Sequence, residues 1–495
     1  MEKTEELLPR GNKLLYTYDD TTPDPRAKGN LLEIRRKPIP GSPDADIVTS
    51  FTYEPNFQQI KTLTDPRGNT TTYTYDYELG EPNKGNLRKI TFPSVDGQTI
   101  ETTFTYNPFG QIETVTDPNG NMTRYTYDPV TGYLTSITNG DGTSEAATTQ
   151  FTHDPFGNIT TTTDAKGATT SFAYNALNQL TQTTSAAPFN FVTTYSYDEN
   201  GNLSQLNRQT EEPSNPQTTT YTYTPLDQLQ TITDDLGNVT TFGYDASGNR
   251  TSILDAEGKT TTYDYDERDL LWKVTDANLQ VTEYAYDENG NLKEIKDANS
   301  NPTTYAYDDF DRLLTTTYAD SSQESYTYDA SSNLATKQDP SLQTITYAYD
   351  PLNRLTLKTY PDTSTVDYTY DPGSRLASIQ DPVSTIQYQY DPLNRIKQVN
   401  TTAFATPTTI SYTYDPVGNR KSLTYPAGSV VTYAYDALNR LIAQETPAGP
   451  FCGPVFRGHY TLSWLSGSRP SPGYISRSPR GSKPGGVHAA LRAGS

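Results

Sequence analysis

The stretch "TEYAYDENGNLKEIKDANSN" at residues 282–301 contains a tyrosine pair, an aspartate, a glycine-asparagine turn and a leucine, in that order. The chain then begins the same pattern again with "TTYAYDDFDRLL" at residues 303–314. Indexed by its second tyrosine, the pattern occurs in 19 units between Tyr18 and Tyr435, with His153 in one tyrosine position. A fixed period of about 21 residues indicates a repeat array rather than a set of separate domains.

Each unit is predicted to form one β-hairpin. "VTEYAY" (281–286) is rich in residues that favour strands. "DENGN" (287–291) is a hairpin loop, because aspartate can bond its own downstream backbone and glycine supplies a positive φ. "LKEIK" (292–296) is the return strand, and "DANSN" (297–301) turns the chain into the next unit. The sequence therefore predicts an all-β fold of tandem antiparallel hairpins.

One detail conflicts with regular alternation in the return strand. Leu292 and Ile295 are three residues apart, so they cannot share one face of a regular strand. Either Leu292 still belongs to the turn, or the hairpin contains a β-bulge. The sequence leaves both possibilities open.

The predicted strip is too long to stay flat. Two strands in each of 19 units would span about 180 Å at roughly 4.8 Å per strand. Open sheets of more than about ten strands curl or split. A spiral of antiparallel hairpins would form a hollow, shell-like sheet, whereas a parallel β-helix with one coil per repeat would form a solid rod. The hydrophobic fraction of 33% favours the shell, because a rod needs a stacked aliphatic interior.

Composition excludes several kinds of partner. The chain has 38 Lys and Arg against 59 Asp and Glu, a net charge of −21. This balance argues against nucleic acid and against attraction to anionic lipid surfaces. No run of 18 apolar residues predicts a membrane span. Cys452 is the single cysteine, so no disulfide framework is expected.

The repeat resembles a known family. The text "YAYDENGNL" (284–292), "YSYDENGNL" (195–203) and "YTYDPVGNR" (412–420), with the variant "YAYDPLNRL" (347–355), is similar to the YD, or Rhs, repeat. That family includes bacterial Rhs polymorphic toxins, C components of insecticidal toxin complexes, wall-associated proteins and animal teneurins. The resemblance implies a hollow β-shell, which encloses a C-terminal toxin domain in the toxins and serves adhesion in teneurins.

Three segments are expected along the chain. Residues 1–10 form the N-terminal end of a fragment, residues 11–446 the array of about 19 units, and residues 447–495 a basic tail. Residues 451–495 contain six Lys or Arg and no Asp or Glu, and they lack the plug that the family resemblance implies after the last repeat. The tail is expected to be disordered or non-native, and a basic interaction tail is the alternative.

The recurring residues are interpreted as structural repeat positions, with no catalytic, cofactor-binding or metal-binding residue among them. Asp287, Asp308 and Asp350 are expected to cap turns, with calcium binding as the alternative. His153 is interpreted as a substituted core position, and Cys452 as a non-catalytic thiol. In two successive units the structural positions are Tyr284, Tyr286, Asp287, Gly290, Asn291, Leu292, Tyr305, Tyr307 and Asp308.

These observations predict a non-enzymatic shell segment of a bacterial secreted or surface protein, located outside the cell or on its surface. Its partner would be an enclosed toxin or effector polypeptide that is not part of this chain, and exposed sheet edges would allow self-association. The first alternative is a surface adhesin that binds glycans or proteins through tyrosine-rich faces. The second is a carrier of its own enzyme, which the lack of catalytic clusters argues against. No cofactor is expected.

Overall fold

A computed structural model describes residues 4–81, 84–209, 216–403, 407–446 and 449–450 of the 495-residue chain. Apart from the backbone of residues 449 and 450, the predicted basic tail at 447–495 lies outside the described residues. The same holds for Cys452, His459 and His488.

The described part of the chain is made of β-strands and one short 3-10 helix, Asp76–Leu79. The strands are β1 Glu5–Leu7, β2 Lys13–Tyr18, β3 Leu31–Lys37, β4 Ile47–Tyr53, β5 Ile60–Thr64, β6 Thr70–Tyr75, β7 Leu87–Val95, β8 Gln98–Tyr106, β9 Ile112–Thr116, β10 Met122–Tyr127, β11 Leu134–Asn139, β12 Ala147–His153, β13 Ile159–Thr163, β14 Thr169–Tyr174, β15 Leu180–Thr184, β16 Val192–Tyr197, β17 Leu203–Arg208, β18 Gln217–Tyr223, β19 Leu229–Thr233, β20 Val239–Tyr244, β21 Arg250–Leu254, β22 Thr260–Tyr265, β23 Leu271–Thr275, β24 Val281–Tyr286, β25 Leu292–Lys296, β26 Pro302–Tyr307, β27 Leu313–Thr317, β28 Gln323–Tyr328, β29 Leu334–Gln338, β30 Thr344–Tyr349, β31 Leu355–Thr359, β32 Thr365–Tyr370, β33 Leu376–Gln380, β34 Thr385–Tyr390, β35 Ile396–Thr401, β36 Thr408–Tyr414, β37 Arg420–Thr424, β38 Val430–Tyr435, β39 Leu441–Thr446 and β40 Gly449–Pro450.

All 40 strands belong to one sheet, in which each strand pairs antiparallel with its neighbours in sequence. Among the described residues, β1 pairs only with β2 and β40 only with β39, so strand pairing does not close the sheet. A β-helix rod would instead require parallel pairing between successive coils. The rod alternative is therefore wrong, and the antiparallel hairpin prediction is confirmed.

The hairpin of β24 and β25 resolves the conflict between Leu292 and Ile295. Tyr284 pairs with Ile295, but the register shifts at the next residues and Tyr286 pairs with Leu292. Lys293 is the extra residue on the return strand, which is the definition of a β-bulge. The same shift before the second tyrosine occurs in other hairpins, for example β14–β15 and β32–β33.

The sheet is a single layer with little deeply buried apolar surface. Most strand residues are half-buried, and the buried hydrophobic residues are scattered along the chain rather than gathered in one core. They are Ala27, Ile47, Tyr75, Ile100, Ala147, Ala186, Leu206, Phe310 and Val431. Stability must therefore come mainly from strand pairing and from contacts between neighbouring repeats.

The strip turns back on itself, so that later repeats contact earlier ones. Hydrogen bonds join residues that are between 252 and 301 positions apart. The pair Lys166 and Asn439, for example, is 273 residues apart, which is about 13 repeats at the 21-residue period. Below, residues 4–280 are called the first winding and residues 281–446 the second winding.

Candidate functional site

In most units the second tyrosine ties its hairpin to the preceding one. The hydroxyl of Tyr286 donates a hydrogen bond of 2.8 Å to the carbonyl oxygen of Leu271. One repeat later, the hydroxyl of Tyr307 donates to the carbonyl of Leu292 at 2.9 Å. The same bond recurs from Tyr53 near one end of the strip to Tyr435 near the other. Burial raises the pKa of Tyr286 and Tyr307, which keeps these hydroxyl groups protonated as donors.

The aspartate that follows the tyrosine pair holds the five-residue loop together. We call this loop the YD loop. In the loop at 287–291, Asp287 Oδ1 accepts the backbone N–H of Asn291 at 2.8 Å, and Oδ2 accepts its side-chain Nδ2 at 3.0 Å. The fourth residue, Gly290, has a φ of 85°, which glycine adopts without strain. The loop is thus capped by its first and fifth side chains.

Two chemical forms of the YD loop are important in the second winding. In the asparagine form, as at 287–291, the fifth residue is neutral and leaves the charge of the aspartate uncompensated. In the arginine form, as at 308–312, Arg312 Nε lies 2.6 Å from Asp308 Oδ2 and its guanidinium packs 4.7 Å from the ring centre of Tyr328. The arginine form recurs at Arg354, Arg375, Arg395 and Arg440.

A third element of the site is the turn that joins one hairpin to the next, here called the connecting turn. Connecting turns between residues 8 and 168 of the first winding contact the YD loops of the second winding, and we call this line of contact the seam. The third residue of a connecting turn is its tip. Three seam tips carry positive charge, namely Arg10, Arg67 and Lys166.

Each basic tip lies beside a YD loop of the asparagine form. Arg10 Nη1 is 3.7 Å from Asp287 Oδ2, and Arg67 Nη1 is 3.7 Å from Asp329 Oδ2. Lys166 Nζ is 3.5 Å from Asp415 Oδ2. The tip therefore supplies the cation that the fifth residue of the loop lacks.

The neutral tip Asn119 follows the same rule. It lies against the YD loop at 371–375, whose Asp371 is already paired with Arg375 at 2.6 Å. Asn119 Oδ1 accepts the backbone N–H of Gly373 at 3.1 Å instead of contributing charge. Tip charge and loop charge are thus matched along the seam.

The carboxylate of Asp311 lies at the centre of the seam contact made by Arg10. Burial raises its pKa, but hydrogen bonds from Asn289, Asn291 and Asn12 and the positive charge of Arg10 outweigh burial and lower the pKa below its ordinary value of 3.8. The carboxylate is 3.2 Å from Arg10 Nη1. This part of the seam therefore depends on an ionised carboxylate.

The carboxylate of Glu54 is buried but lies outside the seam. Glu54 takes the place of the repeat aspartate and is 1% exposed. It accepts the backbone N–H groups of Asn56, Phe57 and Gln59 at 2.7 to 2.9 Å and the hydroxyl of Tyr77 at 2.5 Å. Burial raises its pKa, yet these hydrogen bonds lower it below the usual value. All its acceptor capacity is used locally, as in a loop cap.

Sequence reasoning located the loop and strand positions but missed the seam. Tyr286, Asp287, Gly290, Asn291 and Leu292 lie within one hairpin and its loop, and Tyr307 joins that hairpin to the next. No single repeat shows which segments form the seam, because it joins segments more than 250 residues apart. Its available signal was the positive charge at turn tips in "DPRGN" (65–69) and "DAKGA" (164–168).

His153, the remaining candidate residue in the described part of the chain, lies within the packing of its hairpin. His153 pairs with Ile159 across the hairpin and its ring centre lies 5.2 Å from that of Tyr133. In the described part of the chain, no group of three or more His, Cys, Asp or Glu residues is arranged to hold a metal ion. No helix among the described residues is long and apolar enough to cross a membrane.

Comparison with known proteins identifies the repeat. The family model described as RHS Repeat matches residues 84–122, 106–144, 153–189, 223–260, 244–281 and 286–323. The model described as Teneurin YD-shell matches residues 322–451. No curated protein sequence matches the chain.

Solved structures show the same fold. The crystal structure of TcdB2-TccC3 superposes with a TM-score of 0.58 at 15% identity, covering 88% of this chain and 31% of that chain. TcdB2-TccC3 without its hypervariable C-terminal region gives a TM-score of 0.57 at 17% identity, covering 88% of this chain and 26% of that chain. The chain therefore spans less than a third of the length of these structures.

The hairpin strip, its tyrosine bonds and its capped loops define a YD-repeat protein. The RHS Repeat and Teneurin YD-shell models match successive parts of the chain, and the resemblance to the YD, or Rhs, repeat inferred from its sequence is confirmed.

Proposed function

We propose that this chain is a wall segment of a YD-repeat shell in a bacterial secreted or surface protein, where it encloses or presents a toxin or effector polypeptide outside this chain. The observation that carries the proposal is the seam. Two windings joined edge to edge form a continuous wall from a single-layer sheet, which suits enclosure.

The chemistry of the described residues supports a structural role for the repeat. Its recurring polar groups are used inside the wall, since the tyrosine hydroxyls bond neighbouring hairpins and the aspartates cap loops. A catalytic site instead needs an acid, a base or a nucleophile that is available to a substrate. We therefore propose that the segment itself is not an enzyme.

The similar structures are consistent with a separable cargo. One of them is TcdB2-TccC3 without its hypervariable C-terminal region, so in that protein the shell fold persists when this region is absent. By analogy, the polypeptide handled by the present wall would be a different segment from the repeats. Secretion and an extracellular or surface location belong to this proposal.

The adhesin alternative receives less support. Glycan binding through aromatic rings needs exposed ring faces, but the second tyrosines of the repeats are half-buried and many of their hydroxyls are already bonded. Among the described tyrosines, only Tyr318 and Tyr425 have substantial exposure, at 38% and 44%.

The test is to express the chain with the sequence that flanks it in its natural protein and to image the particle by electron cryomicroscopy. Density for a second, non-repeat polypeptide on the inner side of the wall would support enclosure. Protease digestion gives a second readout, because an enclosed polypeptide should resist cleavage until the seam is weakened by Arg67→Ala. Rapid cleavage of that polypeptide while the wall is intact would contradict the proposal, and specific glycan retention would support the adhesin.

A further inference from the structure

The same loop position is covered in one winding and uncovered in the other. The third residue of a YD loop is commonly apolar. In the second winding Phe310 is 3% exposed, and Leu352, Leu393, Val417 and Leu438 are half-buried. In the first winding the equivalent side chains are 74% to 91% exposed, namely Phe109, Val130, Phe156, Leu177 and Leu226.

The seam explains why the second set is covered. Arg36 of the first winding packs over the ring of Phe310 at 5.6 Å, and Gly140 of a connecting turn lies against Leu393. The uncovered row lies on the opposite edge of the first winding. This row has the same repeat position as the apolar loop residues of the second winding, which the seam buries.

From residue 154 to residue 249, the uncovered edge also carries uncompensated charge in a regular pattern. The loops that begin at Asp154, Asp198 and Asp245 have the asparagine form, with each aspartate bonded to the fifth-residue asparagine. None of these three carboxylates has a Lys or Arg within 4.0 Å among the described residues. The intervening loops begin with the neutral residues Asn175 and Thr224.

We propose that the YD-loop edge of the first winding at residues 154–249 docks a further edge of hairpin turns that carries Lys or Arg at every second tip. The rule is the one observed in the seam, where a basic tip accompanies each asparagine-form loop. Two hairpins contain four strands, so the basic tips of the partner would be about 19 Å apart at roughly 4.8 Å per strand. The apolar loop residues would lie between them.

A second copy of this chain does not fit that description. Its free connecting turns include those of the second winding, and two of their tips, separated by two hairpins, are Asp320 and Asp362. Both side chains are exposed. Stacking two copies would place these carboxylates against the aspartates of the first winding, and like charges at an interface oppose association. The structure therefore favours a partner edge with basic tips.

The charge rule can be tested by supplying those tips on the full chain. The variant Asp320→Arg/Asp362→Arg gives the free edge the pattern of the seam, so copies should stack. Sedimentation velocity should show an association constant on the order of tenfold or more above that of the unaltered chain, decreasing with added salt. The matched control is Asp320→Asn/Asp362→Asn, which removes negative charge without adding positive charge and should associate less.

The receiving edge is tested in the same background. Asp154→Asn/Asp198→Asn/Asp245→Asn should abolish the gained association. Asparagine is compatible with the loop, because Asn107 and Asn175 accept the corresponding backbone bonds from the third residue at 3.0 and 2.9 Å. Association that persists in this background would overturn the proposal. So would a folded arginine variant that sediments like the unaltered chain.

A second measurement does not depend on the arginine variant. Phe156→Ser should leave the melting temperature nearly unchanged, because the side chain is uncovered, whereas Phe310→Ser in the seam should lower it. Equal losses would show that the edge is already covered within the chain and would refute its role as a docking surface. These results concern the edge of the wall, so they can fail or succeed independently of what the wall encloses.

Discussion

Replacing Arg67 by alanine should open the seam locally. Arg67 Nη1 donates to the carbonyl of Tyr349 at 3.2 Å, and Nη2 donates to Asn353 Oδ1 at 2.8 Å and to the carbonyl of Asp350. Three such bonds contribute about 3 kcal/mol in total, at about 1 kcal/mol each. The buried Arg67 Nε has no hydrogen-bond partner among the described residues. Burying this unpaired donor costs about 1 kcal/mol of that stabilisation. We therefore expect a net loss of about 2 kcal/mol.

Hydrogen exchange measures this loss where it occurs. A loss of about 2 kcal/mol is about 30-fold in an opening equilibrium, so the amides of the loop at 350–354 should exchange up to about 30-fold faster. Repeats far from the seam contact should be unaffected, because repeat proteins open locally. Asn278→Ala is the matched control, since Asn278 is an exposed tip in the same position of another connecting turn. Equal exchange at 350–354 in both variants would refute the assigned role of the seam.

Three further changes test the hairpin and its charges. Tyr286→Phe should destabilise its repeat by about 1 kcal/mol through loss of one hydrogen bond, as measured by chemical denaturation. The control Tyr284→Phe should destabilise the repeat less, and equal effects would contradict the bond assigned to the Tyr286 hydroxyl. Gly290→Val should cost about 1 kcal/mol or more, because a β-branched residue is strained at a φ of 85°, and unchanged hydrogen exchange over 282–296 would count against the turn. Because the pKa of Asp311 is lowered, its ionised carboxylate stabilises the seam above the ordinary pKa of 3.8, and this stabilisation is lost as the pH falls through the lower pKa of the folded state. The protection of the amides at the Arg10 turn, corrected for the intrinsic slowing of exchange in acid, should therefore decrease at low pH, and Asp311→Asn should remove this dependence.

The hairpin unit could be predicted because its signals are local. The segments 281–286 and 292–296, identified from strand propensity and turn residues, are the strands β24 and β25. The φ of 85° at Gly290 follows from the loop chemistry in the same way. Each of these features depends on a few neighbouring residues, which are visible in one repeat.

The sequence indicated a bulge as one of two possibilities but could not decide between a bulge and an extended turn. The spacing of Leu292 and Ile295 shows that regular alternation fails, yet an extended turn would produce the same spacing. The choice depends on which residues pair across the hairpin, and the pairing of Tyr286 with Leu292 decides it. The bulge also leaves Leu292 positioned to accept the hydroxyl of Tyr307 from the next repeat, a contact between units that no single unit specifies.

The seam could not be predicted without the three-dimensional path of the strip. Curvature accumulated over about 13 hairpins determines which turn meets which loop. Once that path is known, the sequence becomes informative again. Arg67 meets a loop with an uncompensated aspartate, whereas Asn119 meets one whose aspartate has its own arginine. Partly buried ion pairs are stabilising only when both charges find partners, so a mismatch at one tip would penalise that register of the windings. Charge matching at the tips therefore provides a physical basis for aligning two windings whose strands and tyrosines are nearly identical from one repeat to the next.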